Sequence, residues 1–270
     1  MRLSSLIILL VTLIQSPFAA AENSARLSIV LDDLGYSLND FQALSLPKEI
    51  TFSILPFTPQ GRRIAEQAHL QGRNLLLHIP MQAKSNNSKL GKGALMADMQ
   101  EKEFKAVLKR SLHYLPYAQG INNHMGSTLT EQIEPMRWTM EVLQAQGLYF
   151  LDSRTSTQTT AESTAKILGI PALRRHVFLD NIKTAQAMNK QLQRAIRLTQ
   201  ENNVVVIIAH PYPETLRFLQ QKFNKPMTNI KLIALNELIP KAQRLAMAQK
   251  KSEFQQANTL SSLKILSQTQ

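Results

Sequence analysis

The chain has no cysteine, so it can form neither a disulfide framework nor a thiolate metal site. Any metal it binds must be held by histidine, aspartate or glutamate. Beyond residue 21 no apolar run approaches the ~20 residues that a membrane-spanning helix needs. Acidic residues are the scarcer charge, 19 Asp+Glu against 31 Lys+Arg. That surplus suits nucleic acid, anionic wall polymers or anionic lipid surfaces. Zinc-finger spacing, an aromatic ribonucleoprotein strand and a dense basic arm are all missing, which argues against nucleic acid. Also missing are a phosphate-cradling glycine loop, a dinucleotide fingerprint and a G-x-S-x-G elbow. Nucleotide-dependent chemistry and serine hydrolysis of the common α/β type are therefore disfavoured.

What is present begins with an export signal. Met1-Arg2 is followed by an apolar stretch of roughly a dozen residues and then by Ala19-Ala20-Ala21, a small-residue cleavage site. Residues 1–21 are read as a signal peptide, which places the mature chain in the periplasm and weighs further against nucleic acid. Residues 22–240 are long enough for one full core. Residues 241–270, rich in Lys, Gln, Ser and Ala, read as a basic tail, a frayed helix running into disorder.

Short apolar runs alternate with helix-compatible stretches through the domain. The runs are Leu27–Leu31, Ile50–Leu55, Asn74–Leu77, Gln119–Ile121, Leu148–Leu151, His176–Leu179 and Val204–Ala209, with Ile230–Leu235 as an eighth candidate. Several are continuously apolar, as in strands buried on both faces. Between them lie amphipathic segments such as Pro59–Gln71, Glu101–Leu115, Ile133–Gln146, Ala161–Leu168 and Thr184–Asn202. Seven or eight strand-then-helix units imply a parallel sheet and favour a closed barrel over an open one. Thr184 is a capping residue at a helix start, and Gly147 follows a helix where a left-handed glycine is expected.

Almost every run ends in a polar cluster. These are Asp32-Asp33 after the first, His78 after the third, Asn122-Asn123-His124 after the fourth and Asp152-Ser153-Arg154 after the fifth. Asp180-Asn181 and His210 follow the sixth and seventh. In parallel α/β folds all such ends share one face, and sites form there. Asp180-Asn181 can be read as a helix cap alone. Asp32-Asp33 is harder to read so, because adjacent carboxylates repel unless a cation or donors offset them. His69 and His113 fall within helical stretches, and His176 sits at the opposite rim, a structural position.

One aspartate and two histidines suit zinc or a similar divalent ion and leave room for water. A cation so held acidifies that water and polarises a carbonyl, the requirement of amide or ester hydrolysis. A neighbouring carboxylate can take the water's proton, and a histidine across the site can protonate the leaving group. Asn123, Asp152, Ser153 and Arg154 offer groups that orient a substrate. The last three read equally well as a capped helix start, with Arg154 holding a carboxylate such as Asp32.

The strings Leu31-Asp32-Asp33-Leu34-Gly35-Tyr36, Leu77-His78-Ile79-Pro80-Met81, Asn122-Asn123-His124-Met125-Gly126-Ser127, Phe150-Leu151-Asp152-Ser153-Arg154-Thr155-Ser156 and Ala209-His210-Pro211 resemble the divergent polysaccharide deacetylase family. The resemblance runs from about Arg26 to Pro240. It implies a distorted, NodB-like (β/α) barrel of about seven parallel strands. It implies Asp32 as base, Asp33 as metal ligand with His78 and His124, and His210 as the acid. The sequence departs from the NodB pattern in three ways: no second histidine follows His78 closely, the Arg-x-Pro-x-Gly signature is absent, and Pro80-Met81-Gln82 stands after His78 where many relatives carry an acidic residue. The expectation is a metal-dependent hydrolase, with zinc as the metal, acting on N- or O-acylated cell-wall polysaccharide or peptidoglycan fragments. The alternative is a non-catalytic envelope protein that keeps barrel and metal and binds glycan or a wall-hydrolase partner.

Overall fold

The computed structural model describes residues 24–225 and 230–268, with the side chains of 258 and 260–268 excepted. Residues 1–21, read from sequence as a signal peptide, lie outside the described residues. Nine strands form one sheet: β1 (Ala25–Leu34), β2 (Thr51–Ile54), β3 (Leu75–Met81), β4 (Gly120–Met125), β5 (Tyr149–Asp152), β6 (Ala172–Arg174), β7 (Val177–Phe178), β8 (Val205–Ala209) and β9 (Ile230–Leu232). The helices are α1 (Gly61–Leu70), α2 (Glu101–Tyr114), α3 (Ile133–Gln146), α4 (Ala161–Ile167), α5 (Ala185–Leu198), α6 (Pro213–Phe223) and α7 (Lys241–Gln268).

The sheet order is β6-β5-β4-β3-β2-β1-β8-β7, every pairing is parallel, and β9 joins the first residues of β1. The expected distorted barrel is therefore present, with eight strands along its path rather than about seven. It is open between β6 and β7. The added strand β6 has three residues and ends in Arg174, too short for an apolar run to announce it. The sequence reading leaves residues 213–223 without an element. They form α6, whose first residue is a proline that sets the helical φ and gives up no needed donor.

Strand periodicity explains where the site lies. In β1, Leu27, Ile29 and Leu31 join the large core under the helices, while Val30 belongs to the smaller core inside the barrel. The inner core also takes Leu76, Tyr149, Leu151, Val206 and Ile208. Counting two residues on from these inward positions reaches Asp32 on β1, His78 on β3, Ser153 after β5 and His210 after β8. The same phase on β4 gives Asn122 and His124, opposite His78 and Pro80 in register. Gly120 starts that row because a Cβ there would stand 2.7 Å from Tyr149 O, and its absence leaves the Tyr149 ring room in the interior. The barrel is thus apolar through its middle and polar at its upper mouth.

The tail, expected to be a frayed helix running into disorder, forms the helix α7 (Lys241–Gln268). It packs on α3 and against Gly147, where a Cβ would lie 2.3 Å from Met247 O. Gly147 has φ 64°, the left-handed C-terminal geometry expected of it. Among the described residues no helix is long and apolar enough to cross a membrane.

Candidate metal centre

Asp33 should point outward, because its neighbour Asp32 points inward. The register between β1 and β2 slips between Leu31 and Leu34, and Asp33 takes φ 60°. This bulge turns Asp33 back over the barrel mouth, so both carboxylates serve one site. Met125 and Arg154, at the ends of β4 and β5, also have positive φ. Such strain collects where surrounding structure imposes geometry on a site.

Asp33 Oδ1 lies 3.1 Å from His78 Nε2 and 2.8 Å from His124 Nδ1, and the two ring nitrogens are 3.2 Å apart. These three residues form the one potential cation-holding group of its kind among the described residues. Four ligands at tetrahedral zinc distances stand about 3.3 Å from one another. The triangle matches that spacing and leaves a fourth position open. Although both nitrogens are close, Oδ1 is buried without an aligned hydrogen bond. Three lone-pair-bearing atoms gathered this tightly, with the central one unsatisfied, are the donor set a divalent cation fits. The electrostatics agree. Burial works to raise Asp33, but His124 and His78 hold it well below the usual carboxylate range. Burial works to lower His78, but Asp32 and Asp33 raise it. The pocket favours positive charge between its carboxylates.

Asn122 organises the floor beneath this triangle. Its Nδ2 donates to both oxygens of Asp32, at 2.9 and 3.1 Å. Its Oδ1 accepts from Ser53 Oγ at 2.5 Å and meets His78 Nδ1 at 2.9 Å. A proton on His78 Nδ1 completes that bond and leaves Nε2 free to ligate, the usual division of labour in metal-binding histidines. Asp32 is buried, and burial is the main reason its carboxyl is raised, despite His78, His210 and Asn122 favouring the anion.

His210 stands beside this group and is held by Asp180. The Asp180 carboxylate accepts the His210 backbone N–H at 2.7 Å, the ring Nδ1–H at 2.9 Å and the Thr215 hydroxyl at 2.9 Å. Burial opposes the imidazolium, but Asp180, followed by Asp33 and Asp32, pushes the ring up to about 9. His210 is therefore protonated at neutral pH, with Nε2 left to donate. The His210 ring stacks with Phe178, centroids 6.1 Å apart, and the Arg175 guanidinium lies 3.7 Å from the centroid of that same Phe178 ring.

Sequence reasoning brings Asp32, Asp33, His78, His124 and His210 to one mouth, and the structure places them there. Three residues expected to orient substrate are occupied otherwise. Asn123 Oδ1 accepts from Ser153 N and its Nδ2 donates to Met125 O. Asp152 accepts from Arg154 N and from Thr159 Oγ1. Ser153 is buried, and its hydroxyl oxygen accepts from Asn122 at 3.3 Å. Asn123 and Asp152 are out of phase with the inward row, so they brace loops rather than face the mouth. Arg154 does not hold Asp32; Asn122 does. Arg175, not singled out from sequence, anchors this turn by donating to Ser153 O and Arg154 O. His176 accepts from Val206 N, a structural role as expected. Asp180, legible only as a cap, belongs to the site. Nothing local to it announces a partner 30 residues away, whereas Asn122 could have been found by its phase with His124.

Fold and site together define a parallel α/β barrel protein with an Asp-His-His group that could hold a cation, flanked at its mouth by a buried carboxylate and an aspartate-held histidine. The chain belongs to the divergent polysaccharide deacetylase family, whose model matches residues 29–239. It is 36% identical over 221 residues to the uncharacterized protein YibQ of Escherichia coli (strain K12), covering 82% of this chain and 69% of that protein. It is 33% identical to an uncharacterized protein of Haemophilus influenzae, covering 84% of this chain and 80% of that one. A crystal structure of an uncharacterized protein from Agrobacterium tumefaciens C58 shares the fold, with TM-score 0.76 and 23% identity over 83% of this chain and 92% of that one.

Proposed function

We propose that the protein is a periplasmic, zinc-dependent hydrolase that removes acyl groups from N- or O-acylated cell-wall glycan such as peptidoglycan. The observation that carries this reading is the triangle of Asp33, His78 and His124 with a buried carboxylate, Asp32, on one side and a histidine, His210, held by Asp180 on the other. A cation held by those three residues would polarise the acyl carbonyl and acidify a water. Asp32, its carboxyl raised by burial and aimed by Asn122, would serve as the base that accepts a proton from an attacking water. His210 gives its Nε2 proton to the departing amine or alkoxide, and Asp180 stabilises the imidazolium until then. Acid and base thus occupy opposite environments, one carboxylate exposed to donors and one imidazole fixed by a carboxylate.

The test is metal analysis of the purified protein together with acetate release from N-acetylated and O-acetylated wall oligosaccharides. About one zinc per chain is expected, as for a three-ligand catalytic site, with acetate release that chelation abolishes. A protein that holds the metal yet releases no acetate from any of these substrates is the glycan- or partner-binding envelope protein of the second reading. Fractionation of cells tests the compartment, with the mature chain expected in the periplasmic fraction.

A further inference from the structure

At the opposite end of the barrel, α7 lies across the strand beginnings and bounds a cavity of about 690 Å³ that is open to solvent on one side. This is within the range of small-molecule pockets and far larger than one inorganic ion requires. One side is the barrel floor, with Tyr117, Gln119, Asn236 and Ile239; the other is a single face of α7. A helix packed on its own domain normally presents an apolar stripe. Here that face carries Lys241, Arg244 and Lys251, the last two on the same side of the helix seven residues apart, with Leu245 and Ala248 between them. Among the described residues no carboxylate lines the cavity.

The polar groups around it are left incompletely matched. Lys251 Nζ donates to Ala118 O at 2.6 Å, and burial alone brings its amine down to about 8. Arg244 Nε and Asn236 Oδ1 are buried without hydrogen-bond partners. The apolar share of the wall comes from Ile239, Leu245 and Met247, and from Tyr117, whose ring stacks on His69 at 4.3 Å between centroids. Cations without counter-charges beside an apolar wall match a ligand that has an anionic head and a nonpolar body.

We propose that the cavity between α7 and the barrel floor is a binding site for a small amphipathic organic anion, a carboxylate or phosphate on an apolar body. The site is separate from the metal centre and uses none of its residues. The ligand's head neutralises Arg244 and Lys251, and its body covers Leu245 and Ile239. Binding clamps α7 onto the domain.

Calorimetric titration of the purified protein with octanoate, octyl phosphate, octanamide and inorganic phosphate tests this, with tryptic cleavage of α7 as a second readout. One or both octyl anions should bind saturably and slow cleavage within α7; which one binds tells carboxylate from phosphate recognition. Octanamide should bind at least about tenfold more weakly, the cost of losing a charge-assisted hydrogen bond. Arg244→Gln and Lys251→Gln should each weaken octyl-anion binding by a similar factor, with Lys251→Arg restoring it and far-ultraviolet dichroism unchanged. Failure of both octyl anions to bind overturns the proposal, as does equal binding of octanamide or unchanged affinity in both glutamine variants. Inorganic phosphate binding as tightly as octyl phosphate overturns the amphipathic class. Binding only to phosphatidylglycerol vesicles would make the feature a surface attraction and not a cavity site.

Discussion

At the carboxyl ends of the strands, negative charge is concentrated and answered within hydrogen-bond distance by imidazoles and an amide. At the amino ends, beneath α7, positive charge is concentrated and meets no carboxylate in the cavity wall. The upper mouth is assembled from strand rows, so each side chain arrives with fixed direction and a neighbour one strand away. The lower cavity is assembled from one helix face laid over a floor, so its charged groups end on long, mobile stems. The first arrangement sets geometry to within a fraction of an ångström. The second tolerates ligands of varied shape. The contrast shows how one scaffold can carry a precise site and an adaptable one without either constraining the other.

Breaking the upper site should have the largest effect. Asp33→Ala removes the oxygen shared by both histidines. Bound metal should fall by more than the about 10–100-fold typical of losing a residue that only hydrogen-bonds to a ligand, measured by competition with a chelating dye. Asn122→Ala should come next. It frees both Asp32 and the His78 ring, so zinc affinity should drop by about 10–100-fold with the three ligands intact. Unchanged affinity would show that Asn122 does not set the ring's orientation. In both variants α7 should resist trypsin as in the parent, because the lower end is built independently.

Asp180→Asn tests the acid without touching the metal ligands. Because the folded His210 is raised from 6.5 to about 9, the protonated ring stabilises the fold below pH 6.5, and that contribution is lost as pH rises through about 9. Hydrolysis needing the imidazolium should fall on the same alkaline limb. Asparagine cannot sustain the charge, so the limb and the ring's NMR titration should move toward 6.5, with zinc content unchanged. An unmoved titration would locate the source of the shift elsewhere. The smallest effect should come from the lower end. Gly147→Ala meets Met247 O and a left-handed backbone. It should cost about 1–2 kcal/mol for the conformation alone, loosening α7 in hydrogen exchange while leaving metal binding intact.

Much of this division was readable from sequence, and the exceptions have physical reasons. The apolar runs place Asp32, His78, His124 and His210 at the C-terminal ends of parallel strands, which brings them to one mouth. Their inward direction follows only from counting by two from Val30, Leu76 and Ile208, whose facing the continuously apolar runs do not reveal. The same count would have excluded Asn123 and Asp152. Asp33 was placed by resemblance. Its backbone bulge depends on how β1 meets β2, which no local pattern encodes. Asp180 was opaque because its partner is set by the pairing of β7 with β8, and one carboxylate after a strand looks the same whether it caps a helix or holds a histidine. The cationic face of α7 read as a solvated tail, since composition does not reveal that Gly147 lets a helix backbone approach the domain so closely.

The open seam between β6 and β7 gives β1 a particular mechanical position. Among the described residues no ladder crosses the seam, so the strands β3 and β4 that carry His78 and His124 connect through the sheet to β8, which precedes His210, only by way of β2 and β1. Asp32 and Asp33 sit on that connecting strand. Each strand step is about 4.8 Å, so the span from ligand histidines to acid histidine is gauged by the sheet itself. A shift of β8 against β1 would alter the proton donor's reach while leaving the cation's three holders undisturbed. On the proposed mechanism, the tuning of His210 against the Asp33–His78–His124 triangle is a question of registration between two strands.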